Sequence, residues 1–480
     1  MGIVIRQSFW NSINSYLGVG LGAFNTMILF PRLYPENPGF VGEVQTLLAF
    51  AVVTSTFGHF GMPATILSYF PRFNKQQQSQ LYSLGLILCF SGAILIFSGA
   101  LIYQWWFSVD LPIVIGSLVA VGMIFFELFA SISQYFSKLI VPGFIKNVFR
   151  RIIITTALLL VYFLELHNSF VYTVLLLGYL LQVVMIILYT RASLPGFSLV
   201  LSAIKTQKLF LYGTVIMLSA GAGIAVSRLD ILMLNLYLGN AEVAFYSIAF
   251  FIGAVVSIPA KSLLYSLHPL VAKSWAQGNF KEVEQLYKKS AINHLFINGF
   301  IFLLIWTNIN LIYDFLPEEY RFGQWVVFFI AMGEVVKSAT GINGMIINIS
   351  NKQRYNFYAG TGLVLLTVFT NAIFIPLLGL TGAALASFLS LAIFDFFKFL
   401  MVKKWYKFSP FTKQYQYIAL VLFLVTLILV FKYYYSLNSF LFQIAFNLAL
   451  IFVFYLTFKF SSELKELHHL HAKFLKFLKR

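Results

Sequence analysis

The amino-acid sequence predicts an all-α polytopic membrane protein with about fourteen transmembrane helices. Sixty per cent of the residues are hydrophobic and only 10% are charged, whereas about 25% are charged in an ordinary soluble domain. The mean hydropathy is +0.85. A soluble fold cannot bury so much apolar surface, and disorder requires low hydrophobicity and high charge. The composition therefore excludes both classes.

The apolar residues fall into long runs, and each run approaches the about 20 residues that a helix needs to cross a bilayer. These runs are continuous, whereas the strands of a membrane barrel would appear as short alternating segments. The sequence therefore predicts helical spans. Their limits are 9–31, 41–67, 81–104, 112–136, 147–165, 169–190, 209–234, 242–266, 291–313, 324–349, 355–378, 381–402, 415–435 and 439–459.

The positive charges alternate with the predicted spans. If the N-terminus is cytoplasmic, 27 of the 33 Lys and Arg residues lie on the cytoplasmic side, and only Arg32, Arg321 and Lys432 lie opposite. Cytoplasmic loops of membrane proteins carry an excess of Lys and Arg. We therefore predict that both termini are cytoplasmic. The net charge of +17 follows from this topology, and no basic surface interleaved with aromatic residues indicates nucleic-acid binding.

A short motif repeats after the first and the seventh span. Leu33-Tyr34 with Asn37 recurs as Leu236-Tyr237 with Asn240, 203 residues later. Six spans separate the copies, so both cross in the same direction, which is typical of a parallel repeat. The predicted architecture is two six-helix lobes and two appended helices, followed by a basic amphipathic tail on the anionic cytoplasmic leaflet. These parts are 1–208, 209–410, 411–460 and 461–480.

Ionisable residues inside a span are costly and usually mark a transport pathway. Glu334 and Lys337 in span ten are three residues apart, so they can form a pair on one helix face. Asp395 and Lys398 in span twelve have the same spacing. Either pair can be self-neutralised packing or part of a pathway.

Span seven carries Arg228 and Asp230 two residues apart, on different faces of one helix. Each therefore needs another partner, such as a neighbouring helix, cavity water or a ligand. Glu127 in span four has no partner on its own helix. We predict that it pairs with Arg228, or that it carries a coupling proton, because burial raises the pKa of a carboxyl group.

Polar side chains also follow one face of span one. Asn11, Asn14 and Asn25 are spaced in steps of three and four together with Gly18 and Gly22. Such a stripe either lines a wet cavity or packs tightly against a neighbouring helix.

Span ten carries Asn343 near its inner end, which suits a cavity wall or a helix break. The predicted substrate-binding residues are Arg228, Asp230, Glu127, Glu334, Lys337, Asn11, Asn25 and Asn343. No metal site or cofactor is predicted, since the histidines of the tail suit a solvated helix face and no P-loop motif occurs.

The segment 227–247 resembles the middle of the polysaccharide-type flippases of the multidrug/oligosaccharidyl-lipid/polysaccharide exporter superfamily. The resemblance rests on Asp230 in helix seven, the turn Leu238-Gly239 and the start of helix eight at Tyr246-Ser247. Three further stretches are similar to the same family. They are Pro269 with 276–279, then 316–320, and then 375–386.

This resemblance implies fourteen helices in two lobes around a cavity that opens alternately to either side. It implies a non-enzymatic transporter in the bacterial inner (plasma) membrane, which flips an undecaprenyl-pyrophosphate-linked oligosaccharide such as an O-antigen unit of lipopolysaccharide. Arg228 then contacts the diphosphate, and the asparagines of spans one and ten contact the glycan. Proton or sodium coupling is left open.

Three alternatives remain at this point. A multidrug or cation antiporter of the same superfamily would favour acidic groups in its cavity, and a lipid II flippase would share the fold. A membrane oligosaccharide polymerase or ligase is a different class of protein. Such enzymes usually carry a large outer loop, and every predicted outer loop here is short.

Overall fold

A computed structural model describes residues 2–107, 112–198, 200, 202–350, 352, 354–434 and 440–460. The described secondary structure is helical throughout. The chain forms two compact units. Unit 1 contains residues 1–248 and 360–368, and unit 2 contains 249–359 and 369–480.

Unit 1 contains seven long helices and the start of an eighth. Its helices are α1 (Gly2–Ala23, the π-helical turn Phe24–Leu29 and Phe30–Leu33), α2 (Pro38–Gly58 and Met62–Tyr69), α3 (Lys75–Phe107), α4 (Pro112–Tyr135), α5 (Ile140–Phe144, the π-helical turn Ile145–Phe149 and Arg150–Phe163), α6 (Ser169–Thr190), α7 (Thr206–Leu238) and the first part, 240–248, of α8, which begins with the segment Asn240–Ala254.

Helix α4 lies at the centre of unit 1, where it packs against α2, α3 and α6. Its small and apolar residues Val119, Ala120 and Met123 are buried among side chains of α2 and α6. Because helices have no hydrophobic force that drives them together inside lipid, their association depends on close packing of this kind. Polar side chains near the ends of α4 and α5 are therefore held by a firmly packed frame.

Helix α2 closely approaches α7 and the start of α8 at two of its glycines. A Cβ atom on Gly42 would overlap the backbone carbonyl of Asn240, and one on Gly61 would overlap the carbonyl of Gly213. Gly61 also has a φ of 69°, in the break between the two segments of α2. Only glycine meets both demands at that position without strain.

Unit 2 contains the remaining helices. They are the rest of α8 (249–254, the 3₁₀ turn Val255–Ser257 and Ile258–Ala276), α9 (Phe280–Thr307), α10 (Gln324–Ala339 and Asn343–Ile349), α11 and α12 (together Arg354–Tyr406, of which 360–368 belong to unit 1), α13 (Lys413–Tyr434) and α14 (Phe440–Phe460). Its core includes Val283 and Tyr287 of α9, Ile346 of α10 and Val402 of α12.

The predicted spans follow the observed helices in order. Eleven helices of the described chain are long and apolar enough to cross a membrane. The predicted number of spans, fourteen, exceeds this number by three, and each difference has a physical reason. The non-helical Gly379 divides the continuous apolar stretch within Arg354–Tyr406 into α11 and α12. Helix α5 carries the three charges of Lys146, Arg150 and Arg151, and α14 contributes only the shorter apolar stretch Gln443–Lys459. The prediction of an all-α polytopic membrane protein is confirmed.

Span five differs from its prediction. Helix α5 begins at Ile140, seven residues before the predicted limit, so Lys146 lies within the helix and not in the preceding loop. The tail 461–480 lies outside the described residues, as does its predicted contact with anionic lipid. The division into lobes at residue 208 stays a prediction, since the compact units divide the chain at residue 248.

Candidate functional site

Unit 1 holds a cluster of four positively charged side chains within its helices. We call Lys146, Arg150 and Arg151 of α5, together with Arg228 of α7, the cationic cluster. The α5 residues lie on or directly after the π-helical turn Ile145–Phe149, and π-turns inside helices are frequent at functional sites. Arg228 lies ten residues, or about 15 Å of helix, before the end of α7.

Glu127 of α4 supplies a carboxylate to this cluster. Its Oε1 atom lies 2.8 Å from Nζ of Lys146 and 4.0 Å from a guanidinium nitrogen of Arg150. The prediction that Glu127 pairs with Arg228 is therefore wrong. No sequence pattern pointed to this partner, because Lys146 lies on the next helix and within the stretch that we assigned to a loop.

Arg150 is held in place by α4 and α6. Its Nε donates a 2.8 Å hydrogen bond to Oε1 of Gln182, and its guanidinium lies 5.0 Å from the ring of Phe126 and 5.6 Å from that of Tyr179. Cation–π contacts of this kind are favourable within about 6 Å. Arg150 is thus a fixed charge whose orientation is set by three neighbouring side chains.

Arg151 and Arg228 have a different environment. Their guanidinium groups are close enough to repel each other, and neither forms an ion pair with a carboxylate of the described chain. Gly22 of α1 makes room for Arg151, since a Cβ atom there would lie 3.3 Å from its Cζ. Two neighbouring cations without a carboxylate are costly away from water, and this arrangement is complementary to an anion with two charges.

Asp230 and Arg228 lie on different faces of α7, which agrees with the prediction from their two-residue spacing. Its Oδ2 atom accepts a 2.6 Å hydrogen bond from the hydroxyl of Tyr246 on α8, and its side chain is fully buried. These two residues belong to the motif 227–247, so the motif corresponds to a contact between α7 and α8. The role of Asp230 in substrate binding stays a prediction.

The polar stripe of α1 packs against α5. Asn14 donates a hydrogen bond of 2.9 Å to the carbonyl of Ile140, and Asn25 donates one of 3.1 Å to the carbonyl of Arg151. Asn25 also accepts a bond of 2.8 Å from Thr155. Of the two alternatives for this stripe, the structure shows helix packing at both positions. The side chain of Asn11 lies outside the described part.

Unit 2 contains a separate polar cavity of about 300 Å³. Nζ of Lys337 lies 3.4 Å from Oε2 of Glu334, and Nζ of Lys398 lies 3.3 Å from Oδ1 of Asp395. Both predicted pairs are therefore present, and all four side chains line this cavity. Asn343 lines it as well and donates a hydrogen bond of 3.2 Å to the carbonyl of Asp395.

Among the described residues, no group of three His, Cys, Asp or Glu side chains has the arrangement of a metal site. The sequence prediction missed Lys146, Arg150 and Arg151 as site residues. The available signal was a run of four basic residues from Lys138 to Arg151, before and at the start of span five, with no acidic residue among them.

Comparison with known proteins gives the fold. Residues 216–377 match the MatE family model. The structure of the lipid II flippase MurJ in an inward closed conformation aligns with a TM-score of 0.69 at 15% identity, and the alignment covers 94% of this chain and 98% of that one. The chain has the MurJ fold.

Two curated relatives are archaeal. An uncharacterised membrane protein of Methanocaldococcus jannaschii is 22% identical over 436 residues, which cover 84% of this chain and 83% of the relative. The probable low-salt glycan biosynthesis flippase Agl15 of Haloferax volcanii is 22% identical over 191 residues, which cover 39% of this chain and 40% of the relative. The chain therefore shares its fold with a lipid II flippase and is similar over part of its length to a probable glycan biosynthesis flippase.

Proposed function

We propose that this protein is a transporter that flips an oligosaccharide linked through a diphosphate to a polyprenyl lipid. The observation that carries this proposal is the pair Arg151 and Arg228, two neighbouring cations in unit 1 that form no ion pair with a described carboxylate. A diphosphate brings the negative charge that this pair lacks. Guanidinium groups bind phosphate oxygens through two parallel hydrogen bonds, which gives both energy and orientation.

Each member of the cationic cluster has a role in this proposal. Arg151 and Arg228 bind the diphosphate directly. Arg150, fixed by Gln182 and by two aromatic rings, supplies a constant positive field. Glu127 holds Lys146 by an ion pair and limits the positive charge of the empty site, so that the substrate can also leave.

The lipid part of the substrate needs no enclosed pocket. Large apolar side chains are exposed along the helices, among them Ile94 and Leu95 of α3 and Leu177 of α6, and such surfaces suit contact with lipid tails. The polyprenyl chain can therefore stay in the bilayer while the head group crosses. The fold that the chain shares with MurJ supports movement by alternating access.

The charge of the substrate distinguishes only some of the rival functions. A multidrug or cation antiporter needs acidic groups, and four cations with one carboxylate disfavour a cationic drug in unit 1. A lipid II flippase moves a substrate with the same diphosphate chemistry. The similarity to MurJ supports this function as a second candidate. A polymerase or ligase has no support from the short connections between the described helices.

We place the protein in the plasma membrane with both termini in the cytoplasm, on the basis of its distribution of Lys and Arg. O-antigen units for lipopolysaccharide are one set of substrates that this function includes. The sequence has no nucleotide-binding motif, so a proton or sodium gradient, or consumption of the product, would supply the energy.

The proposal is tested by a flipping assay in proteoliposomes. The substrates are a set of polyprenyl-diphosphate oligosaccharides, lipid II and a cationic dye, each with and without a proton or sodium gradient. We expect flipping of a diphosphate-linked oligosaccharide, its loss in Arg228→Ala and normal flipping in Arg32→Ala, whose side chain is exposed at the end of α1. Transport of the dye alone, or normal flipping by Arg228→Ala, would contradict the proposal.

A further inference from the structure

The cavity of unit 2 contains paired charges that the cationic cluster does not involve. Glu334 and Lys337 of α10 and Asp395 and Lys398 of α12 form two ion pairs, and Asp395 also interacts electrostatically with Lys337 and Glu334. The four side chains thus form one network with two positive and two negative charges. An anion or a cation entering this cavity would meet as many like charges as opposite ones.

The same network retains a large capacity for hydrogen bonds. A lysine ammonium has three donors and a carboxylate has about four acceptor positions, and each pair uses few of them at distances of 3.3 and 3.4 Å. Lys398 also lies 3.7 Å from the centroid of the Phe394 ring, which keeps its ammonium in one position. The cavity therefore offers fixed donors and acceptors without net charge.

Two further buried groups line the cavity. His294 of α9 is only 1% exposed, and its Nε2 atom has no hydrogen-bond partner among the described residues. Asn343 is 3% exposed and uses its amide nitrogen to bind the backbone of Asp395. An unpartnered polar atom in a buried position is costly, so His294 indicates that a ligand or water completes its hydrogen bonding.

We propose that this cavity is a binding site for a neutral saccharide. Sugar hydroxyls donate and accept hydrogen bonds, carry no charge and thus match a network of balanced charges and an imidazole. The volume of about 300 Å³ is at the lower end of small-molecule sites, which suits one or two sugar rings. The inference rests on the proposed function, since it assigns the glycan part of the same substrate class to a site in unit 2.

Gly344 provides a matched pair of variants for testing this site. It lines the cavity, and a Cβ atom there would lie 3.7 Å from Nζ of Lys398, at ordinary contact distance. Gly344→Ala should therefore be tolerated, whereas the larger side chain of Gly344→Leu should fill the cavity without removing any polar group. His294→Leu is a second variant, which removes the unpartnered imidazole.

The experiment measures binding of free methyl glycosides of six common hexoses and acetamido sugars to the purified full-length protein by saturation-transfer NMR. We expect at least one glycoside to bind with a roughly millimolar dissociation constant, the affinity that a few net hydrogen bonds supply. Gly344→Ala should bind it equally. Gly344→Leu and His294→Leu should bind it about tenfold or more weakly.

Binding of farnesyl diphosphate is measured in parallel and should stay within about twofold of wild type in all three variants, since the cationic cluster is unchanged. The inference is overturned if no glycoside binds the wild type, or if a folded Gly344→Leu or His294→Leu variant binds as the wild type does. Failure of the proposed function is a different result, namely absence of farnesyl diphosphate binding by the wild type.

Discussion

Glu127 and Lys146 form an ion pair of 2.8 Å between α4 and α5, although neither residue has a partner on its own helix. Both side chains are partly exposed, at 30% and 49%. The pair therefore does two things in the structure. It joins two helices of unit 1, and it sets the charge of the cationic cluster at the position where α5 contains a π-helical turn.

A double-mutant cycle tests this pair. Glu127→Gln and Lys146→Met should each lower the thermal stability of the purified protein, by about 1 kcal/mol because partial exposure weakens the interaction. The double variant should lose less than the sum of the two single changes, since it leaves no unpaired charge. Strictly additive losses would show that the pair contributes nothing to stability.

The buried hydrogen bond between Tyr246 and Asp230 leads to a second prediction. Tyr246→Phe removes the donor and leaves a fully buried carboxylate with one partner fewer. We expect a loss of about 1–3 kcal/mol, the usual penalty of an unsatisfied buried polar group. The measurement is the melting temperature in detergent. Tyr237→Phe is the control, because its side chain is 48% exposed near the end of α7, and a similar loss in both variants would argue against a specific role.

The two glycines of α2 that approach α7 and the start of α8 give a third prediction. Gly42→Ala and Gly61→Ala should each reduce the amount of folded protein strongly, because a Cβ atom would overlap the backbone of the adjacent chain segment. Gly20→Ala and Gly223→Ala are matched controls, since nothing lies within 4 Å of their added methyl groups. The controls should be neutral or slightly stabilising, because alanine favours helix. The measurements are the expression level and the size-exclusion profile of each variant. A Gly42→Ala variant with the expression level and profile of the wild type would contradict the close approach of the two segments.

The sequence was sufficient to predict the helices and the local pairs. Runs of apolar residues identify spans directly, because the bilayer demands them. Pairs three residues apart, such as Asp395 and Lys398, are set by helix geometry alone. The need of Asp230 for a partner on another helix also followed from spacing, although the identity of that partner as Tyr246 did not.

Contacts between different helices could not be predicted from the sequence. Lys146, Arg150 and Arg151 lie at the beginning of an apolar run, so the charge pattern alone favoured the cytoplasmic side of the membrane. Their contacts with α4 and α6, which make these charges tolerable within a helix, had no signal in the sequence. The stripe with Asn14 and Asn25 had two equally good interpretations. The hydrogen bonds to the carbonyl groups of Ile140 and Arg151 show that the stripe packs against α5. Because every residue has a backbone carbonyl, the sequence cannot indicate which carbonyl accepts the bond.

The central claim is that Arg151 and Arg228 together bind a diphosphate, and it is tested most directly by equilibrium binding of farnesyl diphosphate and farnesyl monophosphate to the purified protein. We expect wild type to prefer the diphosphate, and Arg151→Ala/Arg228→Ala to bind it at least about tenfold more weakly, since hydrogen bonds to charged groups contribute about 1.5–3 kcal/mol each. Arg32→Ala should bind as the wild type does. Undiminished binding of farnesyl diphosphate by a folded Arg151→Ala/Arg228→Ala variant would contradict the claim.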